Sequence, residues 1–99
     1  MSTMEAYKDE LARFLKGFGA NVRRVRTSKR PYFSQEKLSD ATSLHRTEIG
    51  KIEQGAVEPR LTTLMILAEA LSVSIDELVE GLPVPEERRP PPQGDHWSR

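Results

Sequence analysis

Arg46, Thr47, Glu48 and Lys51 lie within one six-residue stretch, interleaved with Leu44, Ile49 and Ile52. At 3.6 residues per turn, a helix here carries the four polar side chains on one side and the three apolar ones on the other. The polar set has a specific chemical fit. Arginine and lysine can donate to guanine O6 and N7, a glutamate can accept from cytosine N4, and a threonine can touch a thymine methyl. The usual elements of catalysis are missing. There is no Ser/His/Asp or Cys/His set, no pair of acids suited to one pocket, and no phosphate-cradling glycine loop. The chain has no cysteine, and its two histidines, His45 and His96, lie far apart. No disulfide, metal centre, cofactor or enzymatic activity is therefore expected.

Such a helix needs a frame. Ninety-nine residues make about one domain. With 36% hydrophobic and 30% charged residues the chain can fold, around a small core. No apolar stretch is long enough to span a membrane, and the first residues show no secretory signal. These features point to a cytoplasmic protein, associated with the nucleoid if it binds DNA. The zero net charge conceals an asymmetry. Residues 20–60 hold nine Lys/Arg against five Asp/Glu, while residues 61–81 hold four acids and no base. A basic middle can bind a polyanion locally because screening confines each charge to about 8–10 Å.

The pattern predicts helices throughout and no strand. Met4, Tyr7, Leu11, Phe14, Leu15 and Phe18 recur at helical spacing, with Ser2 and Glu5 placed for a capping box. Gly17 and Gly19 weaken this helix near its end. A second helix over about 18–28 would bury Phe18, Val22 and Val25 and expose Arg23, Arg24 and Arg26. Ser34 is a good N-cap for a helix ending near Thr42, with Leu38 and Ala41 facing inward. After a break at Ser43-Leu44, a helix over about 45–54 stops before Gly55, with Gly50 placed to let it lie close to a neighbour. Leu61, Leu64, Leu67, Ala68 and Leu71 form the next stripe. Ser74 and Glu77 make a capping box for a last helix that buries Leu78 and ends at Gly81. From residue 82 the chain is Pro-rich, with Trp97 near its end, and is expected to be extended or disordered.

Two short helices separated by about three residues suggest a helix-turn-helix. The segments Ser34-Gln35-Glu36-Lys37-Leu38, Leu44 through Gly55, Pro59-Arg60-Leu61, Leu64 through Leu71 and Ser74 through Leu78 together resemble the Cro/C1-type (XRE-family) DNA-binding domain. Locally, Leu44-His45-Arg46-Thr47 resembles the controller proteins of restriction–modification systems. The resemblance covers about residues 18–81. It implies an all-α, five-helix, lambda-repressor-like domain, preceded by an extra helical segment over 1–17 and followed by a flexible tail over 82–99.

The resemblance also implies roles. Arg46, Thr47, Glu48 and Lys51 would face base edges in the major groove. Gln35 would approach a phosphate and brace the recognition helix, while Gln54 and Arg60 would touch the DNA backbone. The loop Lys29-Arg30-Pro31-Tyr32-Phe33 is about two residues longer than usual, so Lys29 or Arg30 could add a phosphate contact. Arg23, Arg24 and Arg26 either touch phosphate or only solvate their helix. Glu48 could instead cap its own helix, and Glu53 is expected to pair with a local arginine. Ser39 replaces a usual alanine, a mild change. Ser43 replaces a usual glycine and must take an unusual backbone angle. His45 replaces a Ser or Thr cap and should cap less securely.

Relatives of this kind bind inverted-repeat operators as two-fold dimers. The expected interface is the acidic C-terminal surface with Met65, Ile66, Val73, Val79 and Leu82. The N-terminal helix is the other candidate. The leading function is a sequence-specific transcriptional regulator, a repressor or autoregulator, whose partners are double-stranded DNA and a second copy. The alternative is an antitoxin or adaptor that holds a partner protein through the N-terminal helix or the tail.

Overall fold

The computed structural model describes residues 3–83, so Ser2 and most of the Pro-rich tail, with Trp97, lie outside the described residues. The described residues form five helices and no strand: α1 (Thr3–Ser28), α2 (Gln35–Thr42), α3 (Arg46–Glu53), α4 (Leu61–Leu71) and α5 (Ile75–Leu78). Phe18 and Val22 of α1, Leu38 of α2, Ile49 and Ile52 of α3, Leu67, Ala68 and Leu71 of α4 and Leu78 of α5 meet in one core.

The N-terminal segment and the second helix are a single helix, not two. The glycines that were expected to weaken it serve packing instead. A Cβ at residue 19 would lie 2.5 Å from the carbonyl oxygen of Glu53, so only glycine lets α1 press against the end of α3. The apolar row Leu15, Phe18 and Val22 is buried across this point, so tertiary packing outweighs the glycine's cost of about 1 kcal/mol.

Arg26 is a second correction. It is only 5% exposed, whereas Arg23 and Arg24 are exposed as expected. Ala41 is exposed, and Thr42 takes the inward position beside Leu38. Leu61 opens the α4 stripe but is 69% exposed, while Thr63 in the same first turn is buried. Helix α5 ends at Leu78, short of Gly81. Asn21 of α1 donates to the carbonyls of Leu78 (3.0 Å) and Glu80 (3.1 Å), which satisfies acceptors left open at that helix end.

The caps follow local chemistry. Ser34 accepts from the Lys37 amide at 3.0 Å, and Ser74 and Glu77 exchange both capping-box bonds at 3.2 Å. Between α2 and α3, Ser43 has φ 65°, the left-handed conformation anticipated for this turn. Three hydrogen bonds fasten it. The Ser39 hydroxyl donates to the Leu44 carbonyl, the Thr42 hydroxyl donates to the Leu38 carbonyl, and the Leu44 amide donates to the Thr42 hydroxyl. Ser39 is thus more than a tolerated replacement for alanine, since its hydroxyl ties the turn. A left-handed residue with a Cβ costs about 1–2 kcal/mol, offset in part by the extra chain entropy of glycine, about 0.5–1 kcal/mol. Ser43→Gly is therefore expected to stabilise the protein by up to about 1 kcal/mol in a denaturant melt. A lower midpoint would contradict strain at this turn.

Candidate nucleic-acid interface

Helix α3 is held from beneath and at both ends. Ile49 and Ile52 are each 1% exposed and anchor its inner face in the core. At its start, His45 Nδ1 accepts from the Thr47 amide at 3.1 Å. The end expected to be weakly capped therefore has a side-chain cap, supplied by the imidazole and not by Glu48. At its end, Gly55 adopts φ 75°, and the amides of Gly55 and Ala56 close on the carbonyls of Ile52 and Lys51.

The firmest anchor is polar. Arg26 Nε donates to Glu53 Oε2 at 2.6 Å, and Nη2 donates to Oε1 at 3.0 Å, a two-pronged pair between α1 and the last residue of α3. Its Nη1 also donates to the Phe33 carbonyl at 3.0 Å. Gln35 Nε2 donates to the same Glu53 carboxylate at 2.9 Å. The two charged side chains are 6% and 3% exposed. The hydrogen bonds that Arg26 donates to Glu53 raise its pKa above the ordinary value, against the opposing effect of burial. The Arg26–Glu53 pair thus joins α1, the α1–α2 loop, α2 and α3. Glu53 does pair with an arginine, but with Arg26 of α1 and not one near it in sequence, and Gln35 makes the bracing contact.

That frame leaves Arg46, Thr47, Glu48 and Lys51 all exposed on α3. The structure divides the nominated residues between two clefts flanking the helix. Thr47, Glu48 and Lys51 share one with Arg60, which precedes α4 and lends its side chain to no cap there. Gln35, Arg46 and Gln54 share the other. Lys29 and Arg30 are not brought to either. They line a separate depression with Lys37 and the end of α4, and the Arg30 guanidinium folds back onto the carbonyls of Thr27 and Lys29. Gly50 brings no neighbour close, because a Cβ there would meet nothing within 4 Å.

Among the nominated interface residues, Met65 and Ile66 are 54% and 39% exposed. Val73, Val79 and Leu82 instead pack against the core. Leu61, which helical spacing puts on the α4 stripe, joins Met65 and Ile66 as an exposed apolar side chain of α4. It also lines an apolar groove with Phe14 and Leu15 of α1, so the two candidate dimer surfaces adjoin. Among the described residues there is no cluster of acids and histidines able to hold a metal. Among them, too, no helix is long and apolar enough to cross a membrane.

A helix-turn-helix family model (HTH_3) matches residues 23–78. The chain belongs to this family, the Cro/C1-type (XRE) helix-turn-helix proteins, which are DNA-binding transcriptional regulators and in general not enzymes. It is 41% identical over 64 residues to an uncharacterized HTH-type transcriptional regulator, YonR, of Bacillus subtilis strain 168. That match covers 65% of this chain and 57% of YonR, so the chain spans little more than half of that relative. It is 42% identical over 59 residues to the control protein C.SmaI of Serratia marcescens, covering 60% of this chain and 68% of that protein. The crystal structure of the restriction–modification controller protein C.AhdI from Aeromonas hydrophila superposes with a TM-score of 0.60 at 34% identity. That superposition covers 65% of this chain and 94% of the controller.

Proposed function

We propose that the protein regulates transcription by binding an inverted-repeat operator as a homodimer, with α3 in the major groove of each half-site. The observation that carries this reading is the rigid seating of α3. Its inner face and both ends are fixed, while Arg46, Thr47, Glu48 and Lys51 remain exposed. Side chains carried on a fixed helix lose less freedom on meeting base edges than those on a mobile one. Gln35, Gln54 and Arg60 flank this row as backbone contacts, and Lys29 and Arg30 contact backbone further out. The similarity to control proteins favours a regulatory role, which we take to be that of a repressor or autoregulator. This role places the protein in the cytoplasm, on the nucleoid.

The dimer forms through the exposed face of α4, where Leu61, Met65 and Ile66 supply the apolar centre, while Val73, Val79 and Leu82 are half-buried against the core and offer it only their uncovered sides. Segment 61–81 carries no positive charge, which keeps DNA away from this surface. Two half-sites would then lie about 34 Å apart, one helical turn. Replacing Met65 and Ile66 together by aspartate should yield a folded monomer in sedimentation that binds operator DNA at least about tenfold more weakly, since each protomer then binds alone. A double variant that stays dimeric would place the interface elsewhere.

A further inference from the structure

Three arginines within four positions of α1 have three different fates. Arg26 is buried on Glu53, and Arg24 donates to Asn21 at 3.0 Å. Arg23 is exposed, and its guanidinium makes no hydrogen bond or ion pair among the described residues; only its backbone carbonyl is engaged, by the Thr27 hydroxyl at 2.9 Å. Arg23 lines the cleft that α1 and the start of α2 form against α3, a space of about 470 Å³ that Gln35 and Gln54 also line. The cleft is polar. Arg26 and Glu53 within it neutralise one another, and Glu36 offsets one of the two free arginines, leaving one net positive charge.

Gly50 belongs to the same cleft. It lies inside α3, where glycine weakens a helix relative to alanine. Its φ is not positive, and nothing in the protein stands where its side chain would be. Gly19 and Gly55 are different, because a Cβ at either would meet another backbone within 3 Å. Nothing in the free protein therefore calls for glycine at position 50. A ligand that comes close to the α3 backbone there would.

We propose that this cleft receives one phosphate of the DNA backbone, held by Arg23 with Gln35 and Gln54 beside it, and that Gly50 is the point where the DNA backbone passes closest to α3. The proposal rests on the DNA-binding reading above and adds to it a contact from α1 and a steric requirement within α3. Arg46 also lines the cleft and, being exposed, stays free to reach the base edges.

The test compares Gly50→Ala, Arg23→Gln and Arg24→Gln in the full chain. Binding is measured to a duplex from the gene's own upstream region and to a scrambled duplex of equal length. Gly50→Ala should melt at a higher temperature than the parent yet bind both duplexes several-fold more weakly. Arg23→Gln should weaken both duplexes alike and lower the slope of log K against log salt by about 0.9, the value for one lost phosphate contact. Arg24→Gln should leave that slope unchanged. Gly50→Ala binding like the parent, or Arg23→Gln and Arg24→Gln behaving alike, would overturn the proposal while leaving the DNA-binding reading intact. A parent protein that binds neither duplex would overturn both.

Discussion

Replacing Glu53 by alanine is expected to cost about 3–5 kcal/mol of stability, the usual penalty for stranding one partner of a buried ion pair. The Arg26 guanidinium would lose both prongs of its pair and remain almost fully covered. Gln35 would lose its acceptor, and α3 would lose its tie to α1. In a domain of this size a loss of about 3 kcal/mol lowers the melting temperature by more than about 10 °C. Because Arg26 has a raised pKa in the folded state, its contribution is full at every pH below the ordinary arginine value and fades only as strong alkali is approached. The double replacement Arg26→Met with Glu53→Leu should recover much of the loss, because apolar residues of similar volume carry no stranded charge. A change below about 1 kcal/mol for Glu53→Ala, the worth of an exposed pair, would show that the network does not hold α3.

The second large effect concerns recognition. Arg46→Ala should weaken binding to the operator by about 5- to 150-fold, equivalent to the 1–3 kcal/mol of one bidentate base contact. Binding to random DNA should change far less. The side chain is exposed and has no bonded partner among the described residues, so the fold should not respond. The same loss on both duplexes would mean that Arg46 touches only the DNA backbone. An altered melting temperature would reveal a structural role that its exposure argues against.

The elements that could be read from sequence are those set by local chemistry. Ser34, Ser74 and Glu77 stand at fixed offsets from the amides they cap, and Ser43 holds the left-handed position that its place in the turn requires. The exposed row on α3 was legible for the same reason, because helical spacing alone separates Arg46, Thr47 and Lys51 from Ile49 and Ile52. What sequence patterns concealed depends on tertiary neighbours. Gly17 and Gly19 read as a break because nothing nearby in sequence announces that α3 packs against Gly19. Arg26 read as a surface arginine among three, although it lies four residues after Val22 and eight after Phe18, on the buried row. Combined with the expectation that Glu53 needs an arginine, that spacing could have singled it out. Leu61 matches the α4 stripe by spacing yet stays exposed, since no neighbouring element covers it as one covers Leu67 and Leu71. At position 45, a histidine nitrogen performs a role that cap preferences assign to oxygen.

The central claim is that α3 reads a specific sequence from a fixed frame, one copy per half-site. The most direct test titrates the purified chain into a duplex from its own upstream region at physiological salt, against an excess of scrambled competitor. The account predicts a saturable complex of two protomers per site that survives the competitor. Equal affinity for both duplexes, with the same steep dependence on salt, would show a basic surface without sequence recognition and would contradict it.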